Sequence, residues 1–477
     1  DGRRLLFASE VRALLAGGAF RRELSAAGLY TYLAFGSVQE PLTLIDGVAS
    51  LAPGSWLRVA VGPEGLRLRS GQYWTPPLVA DAARPAPGEV RCWLADAIGS
   101  HLVSDVPLGA FLSGGLDSGA VVALGTEALG RPLSTFTLAF DGWAGDERSQ
   151  AALTAERWGS RHQVRVLGAE DVLADLGSAL AAMDQPSVDG INTWYVSREA
   201  RRAGLTVALS GLGGDELFAG YASFRLVPRL KRLRRLLPGA LPGAAALAEV
   251  ILRLPGRAPS QDKLSSLLSG ELLFEHPYFL VRGLLAPQQV RGLLPPDLLG
   301  RLFAGDAALA SWQGQVGDDL RTAGQYDAVG EVSWLELSQY TRSTLLRDAD
   351  AMSMAHSLEV RVPFLDHVLV EHLLLVEGRR KLGRGAKPLL ADALGDRLPA
   401  AIVAGKKRTF TLPFEKWLRQ DLAAVVGKSL LDLPAQLGPW LNPAGARRLW
   451  AQFQRGRTTW ARPWALFVLA EWAQRNL

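Results

Sequence analysis

The stretch VPLGAFLSGGLDSGAVVALGTEAL (residues 106–129) decides the fold. Its first seven residues are apolar and read as a short buried strand, and LDSGAVVALGTEAL carries a helical pattern. Between them lies the loop SGGLDS. A glycine-rich loop between a strand and a helix usually marks phosphate binding. Here the Lys that ends a Walker loop is missing, and so is the G-x-G-x-x-G spacing. Gly114 and Gly115 are expected to allow positive φ and to let the backbone approach a ligand closely. The free N–H groups of the helix opening at Leu116 favour an anion, and Ser113 and Ser118 add hydroxyl donors. Asp117 would repel a phosphate unless a Mg²⁺ lay between them, because hard cations bridge carboxylate and phosphate oxygens.

Working outward, LSTFTLAF and HQVRVL read as strands, DERSQAALTAERWG, EDVLADLGSALAAMD and TWYVSREARRAG as helices, and LTVALSG as a further strand. This alternation predicts an α/β fold with a doubly wound parallel sheet. Ligands of such sheets bind beyond the carboxyl ends of the strands. A second loop obeys the same logic. In LSGLGGDELFAGY (209–221) a strand ends at Ser210, glycines follow, and Asp215 and Glu216 open a helix. Either loop alone fits a tight strand-to-helix turn with capping residues. Two of them, each with an Asp after strand, Ser and Gly, point to Asp117 and Asp215 sharing one Mg²⁺. Beyond about residue 220, Leu-rich amphipathic stretches broken by Pro and Gly predict a helical second half with little strand. Upstream, RRLLFA and GSWLRVAV read as strands and AAGLYTYLAF as a helix. PPLVADAARPAPG (76–88) reads as a linker, dividing the chain into residues 1–75 and 89–477.

Composition narrows the function classes. The chain has 477 residues, 48% hydrophobic and 21% charged, with a net charge of +5, too mild to imply nucleic acid. Its single cysteine, Cys92, allows no disulfide framework and no Cys-based zinc site, which fits a reducing, cytoplasmic compartment. Cys92 sits in the helix-like EVRCWLADAIGSHLV and is expected to be packed. No run reaches the ~18 apolar residues of a membrane span. The opening DGRRLLFASE, without Met or leader, reads as though cut from within a domain. The basic run RLVPRLKRLRRLL (225–237) reads as an amphipathic helix with a solvated basic face. His367 and His372 lie five apart and do not make the i, i+4 pair of a zinc helix.

At this point LSGGLDS resembles the signature of the PP-loop ATP pyrophosphatases. LSGLGGDELFAGY, DADAMSMAHSLEVRVPFLD and LPAAIVAGKKRTFTLPFEKWL resemble the synthetase domain of the glutamine-hydrolysing asparagine synthetases. DGRRLLFASEVRALL and SLAPGSWLRV resemble the last part of that family's glutaminase domain. The resemblance implies an adenine nucleotide alpha hydrolase-like sheet with a helical C-terminal half, preceded by a remnant of an Ntn-type α+β amidotransferase domain. It implies an ATP-dependent ligase that adenylates the aspartate side chain, releases pyrophosphate and lets ammonia, drawn from glutamine, displace AMP. By family position Phe111 and Leu138 would line the adenine pocket. Ser113, Gly114, Gly115, Asp117, Ser118, Ser210 and Gly211 would hold the nucleotide. Asp117 and Asp215 would bind Mg²⁺, and Lys407 would steady phosphate and the acyl-adenylate oxyanion. A homodimer is a candidate assembly. Glu359, Arg361 and Asp366 are expected to form a structural ion-pair network.

The match departs from the family pattern in three places. No glutaminase Cys nucleophile is present in these residues, so free ammonia is the expected donor for the chain as given. Leu212 stands where asparagine-forming members commonly carry an acidic residue. Gly405 and Thr409 replace the Arg and Gly usual around the late Lys. Leu212 keeps a relative open that activates another carboxylate, as β-lactam synthetases do. A tRNA-modifying PP-loop enzyme and a non-catalytic ATP-binding remnant are the other readings weighed.

Overall fold

The computed structural model describes residues 4–18, 21–63, 65–78, 83–140, 146–236, 263, 266, 274–405 and 412–477. Strands β1 (Ser55–Gly62) and β2 (Gly65–Gln72) form an antiparallel hairpin. A separate five-stranded sheet contains β3 (Leu108–Phe111), β4 (Ser134–Phe140), β5 (Arg161–Leu167), β6 (Val207–Leu209) and β7 (Glu359–Arg361). Its order is β5-β4-β3-β6-β7 and every pairing is parallel. The chain runs outward from β3 to β5, then crosses back to place β6 on the other side of β3. This reversal between β3 and β6 is the switch point where open α/β sheets leave a crevice.

The crossovers are the helices Leu116–Leu129, Arg148–Arg157, Ala169–Ala182 and Ile191–Arg202, all in segments with helical patterns. The sheet buries side chains on both faces. Ala110 and Leu209 pack into a core that includes Ala120, Val121 and Leu124 of the first crossover helix. Phe136 and Ala208 pack into another with Ala200 of the helix before β6. The second half is helical as expected, with one exception. SLEVRVPFLD supplies the edge strand β7, paired to β6 in the register Val207↔Glu359. Its three residues are too few for periodicity to reveal, and pairing to a distant strand makes it β. Arg361 donates to Glu359 Oε1 (2.7 Å) and to the His101 carbonyl (2.8 Å), while Asp366 caps the helix His367–Leu374. Arg361 and Glu359 thus pair as expected, whereas Asp366 joins no ion pair among the described residues.

Three local expectations fail. RRLLFA forms no strand over its described residues, and Leu5, Leu6 and Phe7 are exposed. Apolar content alone does not supply a pairing partner. Cys92 is exposed, because the helix Pro87–Ser100 buries the stripe Val90, Leu94, Ala97 and Ile98 and turns Cys92 outward. Neither Gly114 nor Gly115 takes a positive φ.

The helix Ala26–Phe35 matches the expected segment and is almost wholly buried. It shares one core with the C-terminal helix Ala461–Asn476, and the Tyr32 hydroxyl donates to the Ala465 carbonyl at 2.7 Å. The Pro-rich 76–88 stretch ends in the helix starting at Pro87, and Ala83 exchanges backbone bonds with Leu375 and Glu377. The basic run lies on the helix Ser223–Leu236, with Phe224 and Val227 buried and Lys231 paired to Glu331.

Candidate active site

β3 and β6 deliver their loops side by side. In the first loop the serines knit the turn. Ser113 N–H donates to Ser118 Oγ at 3.0 Å, the two hydroxyls lie 2.9 Å apart, and Gly115 N–H donates to Ser113 Oγ at 3.2 Å. In the second loop Ser210 N–H donates to the Arg361 carbonyl at 2.8 Å, and Leu212 N–H to Ser210 Oγ at 3.3 Å. Gly213 carries the positive φ, +100°. The loops interlock so closely that a Cβ on Gly211 would lie 2.8 Å from Ser118 N, and one on Gly214 would lie 2.6 Å from Asp117 Cγ. Close approach of one loop to the other, more than backbone conformation, is what requires these glycines.

This interlock brings Asp117 and Asp215 together, 98 residues apart in sequence (215 − 117). Both carboxylates contact one ammonium, that of Lys387. Its Nζ lies 2.7 Å from Asp215 Oδ1 and also pairs with Asp117 Oδ2. One nitrogen touching both places the bonded oxygens no more than about 5.5 Å apart, twice a charge-assisted hydrogen bond. The Lys387 side chain is 5% exposed. Burial pulls its pKa down, but the two carboxylates outweigh that and raise it above the ordinary lysine value. The lysine is therefore charged in the fold.

Lys387 was not singled out in the sequence. It stands in GRGAKPLL, just before the helix Pro388–Leu394, and looks like a solvated turn lysine. Its contact to Asp117 spans 270 residues. The only local trace is conformational: Lys387 holds φ +48°, a region uncommon outside glycine.

The other expected residues fall as follows. Phe111 ends β3, partly buried against Phe136 and Ala208. Leu138 is buried in β4. Gly114 packs over Gln150. Lys407 and Thr409 lie outside the described residues. Leu212 is partly buried on the second loop. Glu216, next to Asp215, turns into the interior. It accepts from the Tyr221 hydroxyl at 2.8 Å, and burial followed by the Asp215 charge pushes its pKa to about 7. Behind it, Arg282 pairs with Glu336 at 2.7 Å and stacks its guanidinium over Tyr221 and Tyr340. Tyr340 sits on an eleven-residue π-helix, Glu336–Leu346. Such i→i+5 segments are rare and concentrate at functional sites.

The sequence profile of asparagine synthase matches residues 89–474, and that of the glutamine amidotransferase domain matches residues 1–74. The chain belongs to the asparagine synthase family. A Mycobacterium tuberculosis protein provisionally named asparagine synthetase [glutamine-hydrolyzing] is 30% identical over 473 residues, covering 95% of this chain and 68% of that relative. Asparagine synthetase [glutamine-hydrolyzing] 1 of Bacillus subtilis is 28% identical, covering 87% of this chain and 63% of its own. Amidase chyE of Penicillium rubens is 25% identical over 384 residues. At family level the chain is an asparagine synthetase-type ligase, and ATP is the family's energy source. Among the described residues no helix is long and apolar enough to cross a membrane.

Proposed function

We propose that this chain carries the ligase half-reaction of a glutamine-hydrolysing asparagine synthetase, on a PP-loop ATP pyrophosphatase-type domain over residues 89–477. Residues 1–75 would then belong to an Ntn-type amidotransferase domain. The supporting observation is the convergence of Asp117, Asp215 and Lys387 at the β3/β6 switch point. A carboxylate is a poor electrophile. Attack by the aspartate β-carboxylate oxygen on the α-phosphorus of ATP forms an acyl adenylate and expels pyrophosphate. Ammonia then adds to the acyl carbon, AMP leaves with the carbon–oxygen electron pair, and a proton passes to solvent or phosphate.

The chain's residues are arranged for the pyrophosphate. Loops 113–118 and 210–216 would cradle it with backbone N–H groups at helix N-termini. The donor set fits Mg²⁺, which takes one or two protein carboxylates and completes its shell with phosphate oxygens and water. A cationic ammonium already bonded to both carboxylates shows that the position favours positive charge. Asp117 and Asp215 would hold the ion, and when bound it would neutralise charge developing on the leaving pyrophosphate. Lys387 would keep the carboxylates together and offer its ammonium to phosphate. By its family position Lys407 would steady phosphate and the acyl-adenylate oxyanion. The only cysteine, Cys92, lies outside residues 1–74, so ammonia release from glutamine is assigned to no cysteine of these residues.

The test is pyrophosphate release from purified protein given ATP, MgCl₂, ammonium chloride and L-aspartate. Turnover that requires aspartate is expected, and Asp215→Asn should lower it at least ~10²-fold, the scale of losing a preorganised electrostatic group. Binding of ATP without pyrophosphate release for aspartate or any other carboxylate would refute the ligase assignment.

A further inference from the structure

The basic helix Ser223–Leu236 has no part in the reaction, and its charges fall into two groups. On the side facing the core they have carboxylates. Lys231 pairs with Glu331, which also meets His276 Nε2 at 3.1 Å, and Arg234 pairs with Glu275 at 3.5 Å. On the outer side they do not. Arg225, Arg229 and Arg232 are exposed and pair with no carboxylate among the described residues. Between them stand Leu226 and Leu233, 43% and 46% exposed, whereas the helix's apolar face, Phe224 and Val227, is already buried in the core. Single exposed leucines are ordinary, but two of them framed by unpaired arginines make a patterned face.

The spacing shows what fits this face. Leu226 and Leu233 lie seven residues apart (233 − 226), as do Arg225 and Arg232 (232 − 225), and Arg229 falls between them. Residues at these offsets line one side of a helix, and apolar residues seven apart with charges beside them form the seam along which a second helix packs. Among the described residues arginine is the only cation on this face, and its guanidinium binds carboxylates bidentately. The matching occupant therefore carries an apolar stripe with Glu or Asp on either side. A nucleic-acid backbone offers phosphates and would leave the leucines without partners. A membrane surface takes the broad apolar face of a helix, and here that face is turned into the protein.

The helix is also rooted beside the reaction centre. Arg225 Nη2 donates to the Gly383 carbonyl at 3.2 Å, close to Lys387 in sequence, and a Cβ on Gly220, just before the helix, would lie 2.5 Å from Lys387 Cε. We propose that the face formed by Arg225, Leu226, Arg229, Arg232 and Leu233 docks an acidic amphipathic helix of a partner protein. The partner's apolar stripe would lie over the two leucines and its carboxylates on the three arginines. The inference stands apart from the ligase reading, and its test needs no turnover.

The probe is a fluorescein-labelled peptide of three heptads with Leu along the seam and Glu on both flanks, whose own charges keep it from pairing with itself. Its anisotropy is followed with the full chain at physiological salt, for wild type, for Leu226→Ser/Leu233→Ser and for Arg225→Gln/Arg229→Gln/Arg232→Gln. Wild type should bind the peptide, and each variant should bind it at least ~10-fold more weakly, the scale of losing the central contacts of an interface. Both variants should keep the wild-type melting temperature, since they change exposed side chains. Where one melts lower, Leu233→Ser or Arg232→Gln alone takes its place. A peptide of the same composition with its leucines scattered should bind weakly. Equal binding of that scrambled peptide, binding unchanged in either variant, or no binding by wild type overturns the proposal. Phosphatidylserine vesicles or polyuridylate RNA binding more tightly than the peptide overturns it in favour of a membrane or nucleic-acid face.

Discussion

Lys387→Met removes the ammonium that joins the two loops and keeps most of the side-chain volume. It leaves Asp117 and Asp215 facing each other at about 5 Å, where two like charges repel by about 3 kcal/mol at an effective dielectric constant near 20. Breaking a buried pair by removing one partner costs about 3–5 kcal/mol. Both aspartates are about one-fifth exposed (22% and 21%), so the lower end applies. The variant should therefore lose about 3 kcal/mol in urea unfolding followed by tryptophan fluorescence. The loss should also depend on pH. Repulsion raises the folded-state pKa of one aspartate, so that the native state binds a proton the unfolded state does not. The deficit is then largest near pH 8 and shrinks as pH falls toward 5. In the wild type, the raised Lys387 pKa gives stability that is complete below the ordinary lysine pKa and lost as pH climbs through the folded value. Millimolar MgCl₂ should restabilise the variant more than the wild type, since a divalent ion can replace the missing charge. A variant as stable as wild type at pH 8, with no differential response to Mg²⁺, would refute the claim that these carboxylates form one shared cation position.

Two further outcomes are expected. Leu212→Glu should leave ATP binding intact and raise aspartate-dependent pyrophosphate release, by up to the 10²- to 10⁴-fold that general-base help provides; a loss of activity would favour an acceptor shaped to the apolar side chain. Glu216→Gln should stabilise the protein at pH 8 by up to about 3 kcal/mol and not at pH 4, since the wild-type pKa of about 7 means stability is full at low pH and declines as pH rises through 7. Parallel urea-unfolding curves for the two proteins across that range would show that Glu216 does not titrate there.

The α/β class was legible because strand, loop and helix alternate from residue 106 to 216 with clear periods. The two glycine–aspartate loops were legible because their residue types are locally odd, a carboxylate set at a turn otherwise built for an anion. Local pattern also fixed the helix Ala26–Phe35 and the helical second half. It misplaced Cys92, because an apolar helix says little about which face is covered until its neighbour is known. It missed β7, where three residues become strand only by pairing with β6. It passed over Lys387 for a related reason. It has no unusual neighbourhood in sequence and takes its character from groups brought in by the fold, Asp117 and Asp215. The sequence by itself determined the elements and the chemistry of the loops, because both follow from short-range pattern. Only the tertiary structure decided which charges meet, because Coulomb energy and burial depend on distances that chain separation does not set.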